Sequence, residues 1–259
     1  MRPFFIITTI LFLLLTACNI PAKKSVATAD LIQPSKAEQV LANAIQAHGG
    51  ESYETAAFQF IFREKTYTFK NEDKTFQYVR SFEENGQEVQ DILNNTTFKR
   101  MVNGQEVSLS TKDLAKYRES VNSVIYFATL PHKLQDPAVN LAHKGTTIIK
   151  GKSYDVLAVH FDELNGGVDY EDEYYYWINQ TTNRIDYLAY NYQVNNGGVR
   201  FRSAYNTRVI DGIVFQDYIN FKAPIGTPLV ELPTLFEKET LQQMSLIETE
   251  DVVNLRKAK

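Results

Sequence analysis

From Ala57 onward the aromatic residues fall on alternate positions: Phe58, Phe60 and Phe62, then Phe76, Tyr78 and Phe82. A period of two places one face of an extended strand in a core and the other outside it, and no helix sustains it. The segments that carry the pattern are punctuated by Asn-Gly pairs in "ENGQE" and "VNGQEV", the chemistry of type I′ hairpin turns. Antiparallel strands are therefore expected, with further strands at 146–150, 154–161, 170–178, 184–193, 200–210, 213–222 and 241–248. No internal tract of Pro, Gly and Ser separates them, so 35–259 is read as one domain.

Two stretches keep a helical period. In "SKAEQVLANAIQAHGG" Ser35 and Glu38 stand at capping-box spacing, and Ala37, Val40, Leu41, Ala44 and Ile45 repeat on one face before Gly49 and Gly50 end the helix. His48, at its end, is expected to engage the last carbonyls and the helix dipole rather than a metal. A second helix is expected from Lys112 to Leu130, with Leu114, Tyr117, Val121, Val124 and Ile125 on one side and Pro131 just beyond it.

The amino-terminal end speaks to location. After Met1 and Arg2 an apolar run extends only to Leu15, short of the ~20 residues that span a bilayer as a helix. A positive residue, a short apolar run and small residues before a cut site describe a signal peptide. The only cysteine of the 259 residues, Cys18, follows Leu15-Thr16-Ala17 directly. This run resembles the bacterial lipobox, which implies cleavage before Cys18, acylation of its sulfur and a membrane as partner through the acyl chains. Residues 1–17 are then the lipoprotein signal and 18–34, "CNIPAKKSVATADLIQP", the acylated cysteine and a polar tether. With Cys18 acylated, no thiol remains for a disulfide. The formal net charge of −4 makes nucleic acid an unsuitable partner.

Local catalytic and metal signatures are absent. "GTTIIKGKS" has five residues between its glycines where a phosphate-binding loop has four, and reads as a hairpin turn at Gly151 and Lys152. His48, His132, His143 and His160 lack metal-ligand spacing, and "DYEDE" lacks the frame of a calcium loop. No cofactor, metal or catalytic residue is assigned.

The densest chemistry lies at 166–192, "GGVDYEDEYYYWINQTTNRIDYLAYNY", which holds seven tyrosines and the single tryptophan, with four carboxylates before the aromatic run. Alternation puts Asp169, Glu171, Glu173, Tyr175 and Trp177 on one face, while Arg200, Arg202 and Arg208 share a parity on a later strand. A concavity lined by Glu171, Glu173, Tyr175, Trp177, Arg200 and Arg202 would suit an amphipathic ligand, its apolar part on the rings. The same residues also fit ordinary cross-strand aromatic pairs with an ion-pair ladder.

The order of lipobox, helix ending "AHGG", paired strands, "YYYWINQTTNRIDYLAY" and "RVIDGIVFQDYINF" is similar to the outer-membrane lipoprotein-sorting superfamily. It is similar also to a family of bacterial lipoproteins of unassigned function. The resemblance implies a mainly β (α+β) fold: a strongly curved antiparallel sheet, or half-barrel, with an N-terminal helix and one further helix packed on it. It further implies a Gram-negative cell envelope, the outer membrane, and a lipid, glycan or lipoprotein as ligand. A carboxylate-dependent envelope hydrolase and a purely structural lipoprotein are the other readings of the same residues.

Overall fold

A computed structural model describes residues 33–162, 172–193 and 196–257, and the elements below belong to a unit running from Pro34 to Lys259. Cys18, Asp169 and Glu171 lie outside the described residues.

Helix α1 spans Lys36–His48. The Ser35 hydroxyl accepts the Glu38 N–H at 3.3 Å and the Glu38 carboxylate accepts the Ser35 N–H at 2.6 Å, so two of the helix's orphan donors are satisfied reciprocally. Its buried stripe is Ala37, Val40, Leu41, Ala44 and Ile45. Gly49 ends it at φ 141°, and a Cβ there would sit 3.1 Å from the Gly212 carbonyl oxygen. His48 engages a carbonyl of the last turn as expected, but without the charge that a dipole contact would use. It is buried, Nδ1 donates to the Ala44 carbonyl at 2.8 Å, and desolvation brings its pKa down to about 4. The ring is thus neutral and holds the helix end through a hydrogen bond, not a charge.

Strands β1 (Ala57–Phe62), β2 (Lys65–Glu72), β3 (Thr75–Glu84), β4 (Gln87–Asn94), β5 (Phe98–Val102) and β6 (Gln105–Val107) form an antiparallel meander. Helix α2 (Thr111–Ala128) follows, and then a second meander of β7 (Val139–Ile149), β8 (Lys152–Phe161), β9 (Tyr174–Asn179), β10 (Ile185–Tyr192), β11 (Gly198–Ile210) and β12 (Ile213–Ala223). A short helix α3 (Leu232–Glu237), β13 (Gln242–Ile247) and β14 (Glu250–Asn254) complete the chain. Asn85-Gly86 and Asn103-Gly104 have the left-handed φ of type I′ turns: 54° and 74°, then 48° and 77°. The later turn sits at Lys150-Gly151, at 47° and 75°, one residue before its expected place, because the glycine takes the second left-handed position.

The sheet orders are β14-β1-β2-β3-β4-β5-β6 and β13-β12-β11-β10-β9-β8-β7. Consecutive strands β13 and β14 lie at the inner edges of different sheets, separated in sequence only by Glu248 and Thr249. The chain therefore steps from one sheet to the other there, while β6 and β7 are the outer edges, and the half-barrel is open. The expected antiparallel, mainly β architecture with two packed helices is present. The sequence pattern did not announce the division into two sheets, α3 or β14.

Three apolar clusters hold the unit together. One joins α1 to Leu157, Val159, Tyr174, Tyr176, Ile178 and Leu188 on the inner face of the second sheet. Another packs Val121 and Ile125 of α2 against Phe58, Phe60, Tyr67, Phe69 and Tyr78 of the first sheet, with Ile213 and Phe215. The third lies on the outer face of the second sheet, where Leu229, Leu232 and Phe236 cover Tyr154, Trp177, Tyr187 and Phe201.

Candidate functional site

The packing of α2 leaves a gap beside the second sheet. Its Val121 and Ile125 face the first sheet, and the neighbouring Ser123, Val124, Phe127 and Ala128 line a cavity of ≈ 570 Å³. The opposite wall is the inner face of the second sheet: Tyr190 of β10, Arg200 and Arg202 of β11, Gln216, Tyr218 and Asn220 of β12, and Met244, Ser245 and Ile247 of β13. Phe62 at the end of β1, Arg63 in the β1-β2 turn and Thr249 from the sheet junction complete it. Arg63 and Glu64 both have left-handed φ, 49° and 62°, without a glycine, a strained turn at the cavity. The volume is in the range of small-molecule sites, ~300–1,000 Å³.

Strand register determines which expected residues reach this wall. Leu188 of β10 stands opposite Tyr176 on one side and Arg202 on the other. Ala189 stands opposite Tyr175 and Phe201. Arg202 therefore shares its face with Tyr176, and Tyr175 with Phe201. Trp177, 1% exposed, packs against Phe201 on the outer face at a ring distance of 5.7 Å. Glu173 has the parity of Tyr175 and is exposed, with its N–H on the Asn191 side chain at 3.0 Å. Arg200 and Arg202 are brought into the cavity. Glu173, Tyr175 and Trp177 lie on the opposite face, and Glu171 is outside the described residues. The expected ladder between Glu173 and the arginines is not formed, since β10 separates their strands and their parities face apart. Arg208, at the far end of β11, pairs instead with Asp217 at 3.1 Å.

Arg202 is the unusual group of the wall. It is 8% exposed, and its guanidinium stacks 4.0 Å from the Phe127 ring centre and 5.2 Å from that of Tyr190. Nη2 donates to the Tyr190 hydroxyl at 2.8 Å, Nε is buried without a partner, and no carboxylate pairs with it among the described residues. Beside it in the strand register, Asn220 donates to Ser245 Oγ at 3.3 Å while its Oδ1 is buried and unsatisfied. Tyr218 accepts from Gln216 at 2.7 Å, and burial pushes its pKa up to about 12, so it stays a neutral hydroxyl. Arg200 lies over Tyr192, donates to its hydroxyl, and donates to the Val199 carbonyl at 3.1 Å.

Phe127, Tyr190, Tyr218 and Asn220 were not singled out from the sequence. The parity of Arg200 and Arg202 was a usable signal for Asn220, which is opposite Arg202 on the hairpin partner strand, but a bulge between Tyr205 and Arg208 breaks the count from the Asp211-Gly212 turn. Among the described residues no cluster of three or more His, Cys, Asp or Glu could hold a metal, and no Asp or Glu lines this cavity.

Among solved structures the chain is similar to a LolA superfamily protein from Nitrosomonas europaea, at 12% identity and TM-score 0.48, over 87% of this chain and 96% of that one. It is also similar to a DUF1329 family protein from Desulfovibrio piger, at 11% identity and TM-score 0.40, over 87% and 96%. A third similar structure is the Mycobacterium tuberculosis lipoprotein LppX, at 11% identity and TM-score 0.28, over 61% and 90%. No curated protein matches the chain. Its residues 12–249 match a family of unknown function, DUF6503, and the chain belongs to that family.

Proposed function

We propose that this chain is a lipid-anchored protein of the Gram-negative cell envelope, held through acyl chains on Cys18, which shelters the apolar part of an amphipathic molecule in the α2 cavity. The outer membrane is the proposed site. The observation that carries the reading is the lining: Phe62, Val124, Phe127, Ala128, Met244 and Ile247 come from three separate parts of the chain and border one cavity of ≈ 570 Å³. An apolar lining of this kind gives the tail of an amphipathic molecule a surface to bury against. Tyr175 and Trp177 do serve as core, under α3. A hydrolase acting through carboxylates gains no support from the described lining residues, none of which is acidic.

The test is native mass spectrometry of the full chain purified in a non-ionic detergent, beside Ala128→Trp, which places a large ring in the cavity from a half-buried position of α2. A stoichiometric small-molecule adduct in the wild type, lost in an Ala128→Trp protein that melts cooperatively, is the expected result. No adduct after incubation with lysophospholipid or fatty acid, or an adduct that persists in Ala128→Trp, rules the reading out.

A further inference from the structure

Resting on that reading, we infer that the molecule held in the cavity is anionic: an amphiphile whose head group is a carboxylate or phosphate seated on Arg202. Among the described residues three basic side chains, Arg63, Arg200 and Arg202, line the cavity and no acidic one does, in a chain whose formal net charge is −4. The local sign is opposite to that of the whole, so it does not follow from composition.

Arg202 makes the stronger case of the three. A guanidinium removed from water needs a counter-charge or a full set of acceptors, and one left without them is costly. Among the described residues the Tyr190 hydroxyl accepts from Nη2, and the buried Nε has no acceptor. The side chain is nevertheless held in place, stacked on Phe127 at 4.0 Å from α2 and near Tyr190 from β10. A fixed, planar, under-satisfied fork is the geometry that carboxylates and phosphates accept in a bidentate manner. Tyr190 accepts from Arg202 and keeps its own O–H to donate to the same anion. Tyr218 likewise accepts from Gln216 and keeps its proton, since burial holds its pKa far above neutrality. The rings of Phe62 and Phe127 with Val124, Met244 and Ile247 then flank the polar group with apolar surface for the tail. Charge and apolar lining in one cavity select an amphiphile over a bare anion or a bare hydrocarbon.

The experiment is isothermal titration of the full chain, kept in a non-ionic detergent, with decanoate, decyl phosphate, decanol, decyltrimethylammonium, acetate and inorganic phosphate. The two anionic amphiphiles should saturate the site about tenfold or more tightly than decanol, as expected for a charge-assisted hydrogen bond. Decyltrimethylammonium, acetate and inorganic phosphate should not compete. Arg202→Met, which keeps the stem over Phe127 and removes the charge, should bring decanoate affinity down to that of decanol. Inorganic phosphate binding as tightly as decyl phosphate would make the site one for free anions and overturn the amphiphile. Decanol equal to decanoate in the wild type, or decanoate binding unchanged in a cooperatively melting Arg202→Met, would overturn the anion while leaving a neutral-ligand cavity standing. Absence of binding by every amphiphile would remove both the inference and the function on which it rests.

Discussion

The carboxylate of Asp217 accepts the backbone N–H of Thr249 at 2.9 Å. Thr249 lies in the two-residue step between β13 and β14, so this bond fixes the point where the chain leaves one sheet for the other. Asp217 is 2% exposed and satisfied on every side: it also accepts from Thr249 Oγ1 at 3.2 Å and from Asn206 at 2.6 Å, and pairs with Arg208 at 3.1 Å. Arg208 in turn donates to Thr249 Oγ1 at 2.7 Å and to the Thr249 carbonyl. A carboxylate serves here because the step leaves an N–H without a strand partner, and a buried N–H needs an acceptor.

Asp217→Ala should therefore destabilise the protein by ~3–5 kcal/mol, the cost of removing one partner from a buried ion pair. Urea unfolding measures it. A loss below ~1 kcal/mol would mean that the sheet junction holds without this carboxylate.

Trp177 gives a second, spectroscopic check on strand parity. Its ring packs on Phe201 beneath α3, on the face of the sheet away from Arg202. A ligand seated in the α2 cavity should leave the tryptophan emission maximum unchanged while calorimetry reports saturation. Phe127→Trp in a Trp177→Phe background moves the fluorophore to the cavity wall, and the same titration should then change the emission. A shift in the wild type matching that of the relocated tryptophan would contradict the placement.

How much of this was legible beforehand varies with the kind of signal. The alternation of Phe58, Phe60 and Phe62 and the Asn-Gly turns act within a few residues, and they specify strands and hairpins directly. The Ser35-Glu38 box is equally local. Parity along β9 correctly groups Tyr175 with Trp177, yet it cannot state which side of a sheet that group faces. That side is decided by α3 and the turn before it, whose Leu232 and Leu229 cover Trp177 from more than fifty residues away in sequence, and by α1, which takes the other face. Arg200 and Arg202 could be singled out as candidates beforehand because their shared parity puts two charges on one face of a strand. Phe127 was not, because an aromatic in an amphipathic helix looks the same whether it fills a core or borders a gap.

His48 makes stability depend on pH in a defined window. Its folded pKa, about 4, lies below the ordinary 6.5 because burial disfavours the imidazolium. The unfolded chain binds the proton more readily, so the stabilisation is fully present above pH ~6.5 and is lost as the pH falls toward ~4. A shift of this size corresponds to ~3 kcal/mol. His48→Gln, which keeps a donor near the Ala44 carbonyl and cannot titrate, should flatten the stability profile over that interval. An unchanged profile would assign the acid loss to other groups, among them His132, whose pKa burial also lowers.

The proposed membrane anchor has its own test. Cys18→Ser should abolish lipoprotein-type processing and release the protein from the membrane fraction, because stable attachment depends on more than one acyl chain. Radiolabelled palmitate incorporation and fractionation measure both. Wild-type retention without incorporated label would show that the lipobox resemblance does not describe this chain.

The last prediction concerns a charged row beneath α2. Register places Tyr67, Arg80, Asp91 and Arg100 side by side across β2 to β5 on the inner face of the first sheet. Asp91 is fully buried; it accepts from Arg80 Nε at 3.0 Å and from Arg100 Nε and Nη2 at 2.7 and 2.9 Å. Arg100 then lies 3.4 Å from the ring centre of Tyr117, which ties the row to α2. Two guanidiniums share one carboxylate, so removing that carboxylate leaves both charges buried and unpaired. Asp91→Ala should cost ~3–5 kcal/mol, whereas the triple replacement Arg80→Met, Asp91→Leu, Arg100→Met should be near neutral or stabilising, since an apolar row avoids desolvating three charges. Chemical unfolding of both variants separates the two cases. A triple variant as unstable as Asp91→Ala would mean that the row contributes specific attachment of α2 that apolar packing cannot replace, and the cavity beside α2 should then lose its ligand in that variant as well.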